Sequence, residues 1–176
     1  MGVQVPLRAN YKKMDPLLDE KIILTISQIL PEFFLENFDL LLKREAFGPS
    51  LNEGICYEFC TLISFTGDFS GKLFICMDGA TKLKTLPYIS KNFFVDTYQK
   101  GMANSILMEI TNQMVANFIQ EFTYAKFKLS LQAPEIWNHK VFLIDFNQYR
   151  QYVIIFNINN KTDLLGRLYC ILLLEK

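Results

Sequence analysis

The run Ser105-Ile106-Leu107-Met108-Glu109-Ile110-Thr111-Asn112 decides how the rest of the chain is read. Ser105, Glu109 and Asn112 stand at i, i+4 and i+7, a spacing that puts their side chains on one stripe of an α-helix. Ile106, Leu107, Ile110, Met114, Val115, Phe118 and Ile119 supply the apolar, inward side of the same helix. The run therefore predicts a helix with its apolar face on a core and an acid-plus-amide stripe toward solvent. A carboxylate and a carboxamide held one turn apart can grip a partner and orient a water, which makes the stripe a candidate active site.

Outward from that helix, the chain reads as a single domain. It has 176 residues, half of them hydrophobic and 16 of them Phe, so a sizeable core is available. Lys plus Arg and Asp plus Glu are equal at 18 each, so no net field attracts nucleic acid or acidic lipid. No apolar run reaches the ~20 residues of a membrane helix, and no signal-peptide pattern opens the chain. Pro6 stands where a myristoylation motif would want Ser or Thr. These features fit a cytoplasmic protein. Residues 1–16, with two prolines and a mildly basic character, form a loose lead to a domain spanning 17–176.

The predicted elements follow from periodicity and punctuation. Leu17 to about Phe47 reads as helix, kinked or restarted at Pro31 and closed near Gly48-Pro49. Cys56–Phe65 and Lys72–Met77 read as strands joined through the turn residues Thr66 to Gly71. Ala80–Tyr88 is a short helix, Phe94–Phe122 the long motif helix, and Lys126–Ala133 a short strand ending at Pro134. Lys140–Phe146, Gln151–Ile158 and Gly166–Leu174 are strand-like and predict a meander. The order fits an α+β fold with long helices packed on one face of a mostly antiparallel β-sheet. Tyr152–Phe156 and Tyr169–Leu174 do not alternate with polar residues. They are either central strands buried on both faces or strands whose second face meets another subunit.

Other chemistry-bearing residues point to structure. Cys56, Cys60, Cys76 and Cys170 lie in apolar strand-like segments without a C-x-x-C, which reads as reduced core thiols rather than a metal pair or a disulfide. His139 reads as a loop residue, and Asn160-Lys161-Thr162 as a sequon without a secreted context.

The motif helix and the preceding hairpin together resemble the CheC, CheX and FliY group of chemotaxis phosphatases, CheX most closely. The family pattern of Asp or Ser, three residues, Glu, two residues, Asn and a later proline is met by Ser105, Glu109, Asn112 and Pro134. The family's hydrophobic-Thr-Gly turn and second glycine are met by Phe65-Thr66-Gly67 and Gly71. The chain departs in carrying Ala116 where family members often have Gly, and in lacking a second Glu-x-x-Asn between Leu17 and Phe47. One site per chain is implied, as in CheX.

The resemblance implies a phosphatase acting on the aspartyl phosphate of a CheY-like response-regulator receiver. Asn112 would orient the attacking water, Glu109 would dock the receiver's lysine, and Ser105 and Pro134 would support them. It implies no cofactor in this chain, a Mg²⁺ held by the receiver, and a homodimer. A receiver- or flagellar-motor-binding module without catalysis, and a structural dimer, are the alternatives the residues leave open.

Overall fold

Two helices of equal length supply nearly half of the main core cluster. In the computed structural model, which describes residues 16–48, 57–91, 102–136 and 146–176, α1 (Pro16–Phe38) and α3 (Met102–Tyr124) each run 23 residues. Buried Ile22, Ile26, Leu30 and Phe34 follow the helical repeat on α1, and Ile106, Ile110, Met114 and Phe118 follow it on α3. Between the two helices in sequence come β1 (Leu41–Gly48), β2 (Phe59–Gly67), β3 (Gly71–Met77) and α2 (Gly79–Ser90). After α3 come β4 (Leu129–Leu131), β5 (Glu135–Ile136), β6 (Tyr149–Asn159) and β7 (Leu164–Glu175). All strand pairs are antiparallel, in the order β1-β6-β7-β3-β2-β4, with β5 also on β2. This is the α+β arrangement that the element order predicts.

The first helix is shorter than its apolar pattern suggests. It stops at Phe38, and residues 41–48 form β1. Asp39 takes a left-handed conformation (φ 54°), its N–H bonds to the Leu35 carbonyl at 3.1 Å, and the Leu40 N–H reaches back to Phe34 at 3.3 Å. The Asp39 bond is the 5→1 bond of an αL cap, and the fully buried Leu40 follows it. The stop signal was therefore an aspartate, one of the few non-glycine residues that tolerate this conformation. Leu41 and Leu42 continue the apolar run, but only Leu42 is buried. α1 also passes through Pro31 without a restart. The flanking Ile29, Leu30, Phe33 and Phe34 are all buried, and their packing spans the lost hydrogen bond.

The unbroken apolar strands are central ones. On β7, Leu168, Cys170, Leu172 and Leu174 join the core under the helices, whereas Tyr169 and Leu173 join a second cluster on the far face with Tyr57, Cys60, Leu62, Phe74 and Cys76. Alternate residues thus bury on opposite faces of one sheet. The C-terminal strands need no second subunit to explain their composition.

Several expectations are corrected or lie elsewhere. Cys60 and Cys76 stand directly opposite each other in the β2–β3 register, buried, with their Cα atoms 4.1 Å apart and their sulfurs in contact. Cross-strand register creates this pairing, and a separation of 16 residues does not disclose it. Cys170 is free and buried, and burial pushes its thiol well above the ordinary range. The strand predicted over Lys126–Ala133 is the shorter β4. Cys56, His139 and nearly all of the strand predicted over Lys140–Phe146 lie outside the described residues. Asn160 is absorbed by the β6–β7 turn: its carbonyl accepts from the N–H groups of Thr162 and Asp163, and its amide donates to the Tyr88 hydroxyl at 2.6 Å.

Candidate functional site

The exposed face of α3 is built by what lies beneath it. Ile106, Ile110, Met114 and Phe118 are at most 5% exposed. Thr111, also buried, donates to the Leu107 carbonyl at 2.8 Å and meets the Thr61 hydroxyl on β2 at 3.5 Å. These contacts fix the rotation of the helix about its axis. Rotation in turn puts Ser105, Glu109 and Asn112 outward, and all three are exposed. Ile119 is a further correction. The apolar pattern places it on the inward side, but it is 40% exposed and lies on the stripe that carries Asn112.

Both ends of α3 are tied to the scaffold. At its start, the Lys82 ammonium of α2 donates to the Asn104 side chain at 3.2 Å. α2 is itself started by Asp78, whose carboxylate accepts from the Thr81 N–H at 2.7 Å. At the other end, the β2–β3 turn clamps the chain that leaves α3. The Asp68 N–H donates to the Lys128 carbonyl at 3.0 Å, and the Lys128 N–H donates to the Asp68 carboxylate at 2.8 Å. Gly67 (φ 139°) makes this possible, because a Cβ there would collide with the Lys128 carbonyl. The Thr-Gly turn of the sequence pattern is thus part of how the motif helix is held.

Within the stripe the carboxylate and the carboxamide differ in what they touch. Glu109 accepts a long hydrogen bond from the Gln113 amide at 3.5 Å, one turn further along. Gln113 was missed from the sequence, although its i+4 spacing from Glu109 was a usable signal. The Asn112 side chain is exposed and makes no hydrogen bond among the described residues, so its amide donor and acceptor face solvent together. Pro134 does not join the stripe. It is buried between β4 and β5, both of which pair with β2, and so belongs to the sheet edge. Among the described residues no group of three or more His, Cys, Asp or Glu side chains is placed to hold a metal ion. No described helix is long and apolar enough to cross a membrane.

The site is thus an exposed acid and a solvent-facing amide, presented by one helix that packs on an antiparallel sheet. The sequence profile of the chemotaxis phosphatase CheX family matches residues 59–157, more than half of the chain, and the chain belongs to that family. The matched span includes the hairpin, α2, α3 and most of β6. Solved structures with the same fold include CheX from Desulfovibrio desulfuricans, with a TM-score of 0.70 at 10% identity over 88% of this chain and 99% of that one. CheX in the complex with CheY, BeF₃ and Mg²⁺ from Borrelia burgdorferi has a TM-score of 0.62 at 19% identity over 90% and 97%. FliY from Thermotoga maritima has a TM-score of 0.64 at 14% identity over 90% and 91%. No curated protein matches the sequence.

Proposed function

We propose that this protein hydrolyses the aspartyl phosphate of a CheY-like response-regulator receiver. The observation that carries the reading is the solvent-facing Asn112 carboxamide, one turn from Glu109, on the motif helix of a CheX-family chain. The solved complex of the Borrelia burgdorferi relative with CheY supports a receiver as the partner.

The chemistry follows from the groups present. An aspartyl phosphate is an acyl phosphate with a good leaving group, and a receiver-held Mg²⁺ supplies charge neutralisation. What remains is a water in line with the scissile P–O bond. The Asn112 carboxamide accepts from and donates to that water without placing negative charge beside the phosphoryl group, as a carboxylate would. The water oxygen bonds to phosphorus, the P–O bond to the aspartyl carboxylate breaks, and aspartate and inorganic phosphate leave. Glu109, steadied by Gln113, faces the same partner and pairs with a receiver lysine, fixing register. Ser105 supports the N-terminal end of the stripe. The acid docks and the amide positions.

The test is phosphate release from a phosphorylated receiver alongside a binding measurement. Asn112→Ala should lower the added hydrolysis on the order of 100-fold with binding nearly intact, because the lost group acts mainly in the transition state. Glu109→Lys should weaken the complex by about 2–5 kcal/mol. Undiminished hydrolysis by Asn112→Ala would sink the catalytic assignment. If the unmodified protein binds a receiver without accelerating release, it is a binding module. We also propose a homodimer, on family likeness. Because β6 and β7 lie inside the sheet, a symmetric contact would use β1, which pairs only with β6 among the described residues. A clean monomer in sedimentation at micromolar concentration would rule it out.

A further inference from the structure

The exposed stripe of α3 does not end at Asn112. Residues seven apart on an α-helix differ by only about 20° in direction and stand about 10 Å apart along the axis. Ile119 is therefore the next outward position in line with Asn112, and its 40% exposure places it on the surface. Between them Ala116 is exposed and offers only a methyl group. The neighbouring outward residues, Ser105, Gln113, Gln120 and Thr123, are polar and exposed. The stripe thus reads as an acid, an amide, a low step and an apolar knob.

A stable protein–protein contact covers about 800 Å² on each partner. Glu109 and Asn112 alone cannot supply that area, and charged or polar groups set register better than they supply a desolvated centre. The apolar centre has to come from nearby on the same face. On the N-terminal side Asn104 is already held by Lys82. On the C-terminal side Ala116 lets a partner approach the helix backbone, and Ile119 stands beyond it.

We propose that the receiver docks C-terminally along α3, passing over Ala116 and burying Ile119, so that Ile119 sets receiver affinity while Glu109 and Asn112 act at the phosphate. This rests on the receiver reading above. It specifies the partner's surface: an apolar pocket about 10 Å from the aspartyl phosphate. Receivers with a charged or bulky residue at that place are rejected.

The experiment uses the full chain and a CheY-type receiver phosphorylated with acetyl phosphate in Mg²⁺, reading Kd, KM and kcat. Ile119→Lys should raise Kd and KM about 10-fold or more with kcat unchanged, the size of a lost interface anchor. Ala116→Leu should raise them in the same way by filling the step. Leu24→Lys, 48% exposed on the side of α1 that faces Arg44, Phe47 and Tyr152, should change neither. Ile119→Lys and Ala116→Leu both within about twofold of the unmodified protein would overturn the proposal. If the unmodified protein binds the receiver but does not speed hydrolysis, the catalytic reading fails and the Kd series alone decides the docking surface. If no receiver binds, both fall.

Discussion

α1 and α3 have the same length, share one sheet face and bury similar apolar rows, yet only α3 presents a candidate site. The two run antiparallel: the Lys21 ammonium near the start of α1 reaches the Ala125 carbonyl just past the end of α3. Ile22 and Ile26 of α1 line a small enclosed space with Phe118 and Phe122 of α3. The difference lies in which polar groups each turns outward: Gln28, Glu32 and Glu36 are exposed on α1 but lack the Glu-x-x-Asn spacing that Glu109 and Asn112 supply on α3. On α1, Asn37 spends its amide on the Phe33 carbonyl at 2.8 Å, and Asp19 is drawn into the structure. On α3, Glu109 and Asn112 stay outward. Equal packing with a different outward pattern separates the helix that carries the motif from the one that does not.

Asp19 gives the largest expected break in that comparison. Its carboxylate accepts from Arg150 at 2.6 and 2.8 Å and from the Tyr152 hydroxyl at 2.7 Å, tying α1 to β6. The pair's side chains are only 9% and 18% exposed. Asp19→Ala leaves the Arg150 charge without its partner and should cost about 3 kcal/mol in chemical unfolding, the low end for a buried pair. Burial raises the Asp19 pKa, but the bonds from Arg150 and Tyr152 and the Arg150 charge more than offset it, so the value falls below the ordinary carboxylate range. A lowered folded-state pKa means the unfolded chain binds the proton more readily. The stabilisation is therefore complete above about pH 4 and is lost as pH falls through the folded value. Stability measured from pH 5 downward should decline less steeply in Asp19→Asn; an unchanged slope would remove this account.

Core truncation should treat the two helices alike. Leu30→Ala on α1 and Ile110→Ala on α3 each empty a site at most 1% exposed, and each should cost about 2–5 kcal/mol in denaturant melts. A near-zero cost for Ile110→Ala would mean α3 is rotated and the site stripe misplaced. The smallest effect sharpens the contrast most. Asn37→Ala should lose about 1 kcal/mol of stability and leave phosphate release from a phosphorylated receiver unchanged. Asn112→Ala should do the reverse. Any loss of turnover in Asn37→Ala beyond what its melting explains would blur the distinction between the helices.

What the sequence determined by itself is local. Helical spacing of Ile106, Ile110, Met114 and Phe118 is enough to orient α3 and so to turn Glu109 and Asn112 outward, because side-chain direction on a helix follows from residue number alone. The Phe65-Thr66-Gly67 turn and the short helix over Ala80–Tyr88 are likewise written in short windows, whereas the Asp78 cap of α2 came from the structure. Tertiary structure decided the remainder. Leu41 and Leu42 fit helix or strand equally well, and the choice was made by Asn159 and Ile158, their partners across the sheet. Cys60 met Cys76 through strand register, and Pro134 sank into the sheet edge through pairing with β2. Ile119 followed the apolar pattern yet stayed on the surface, because an apolar residue at the rim of a helical face is buried only if a neighbouring element covers it. Local periodicity gives a direction; only packing supplies what lies in that direction.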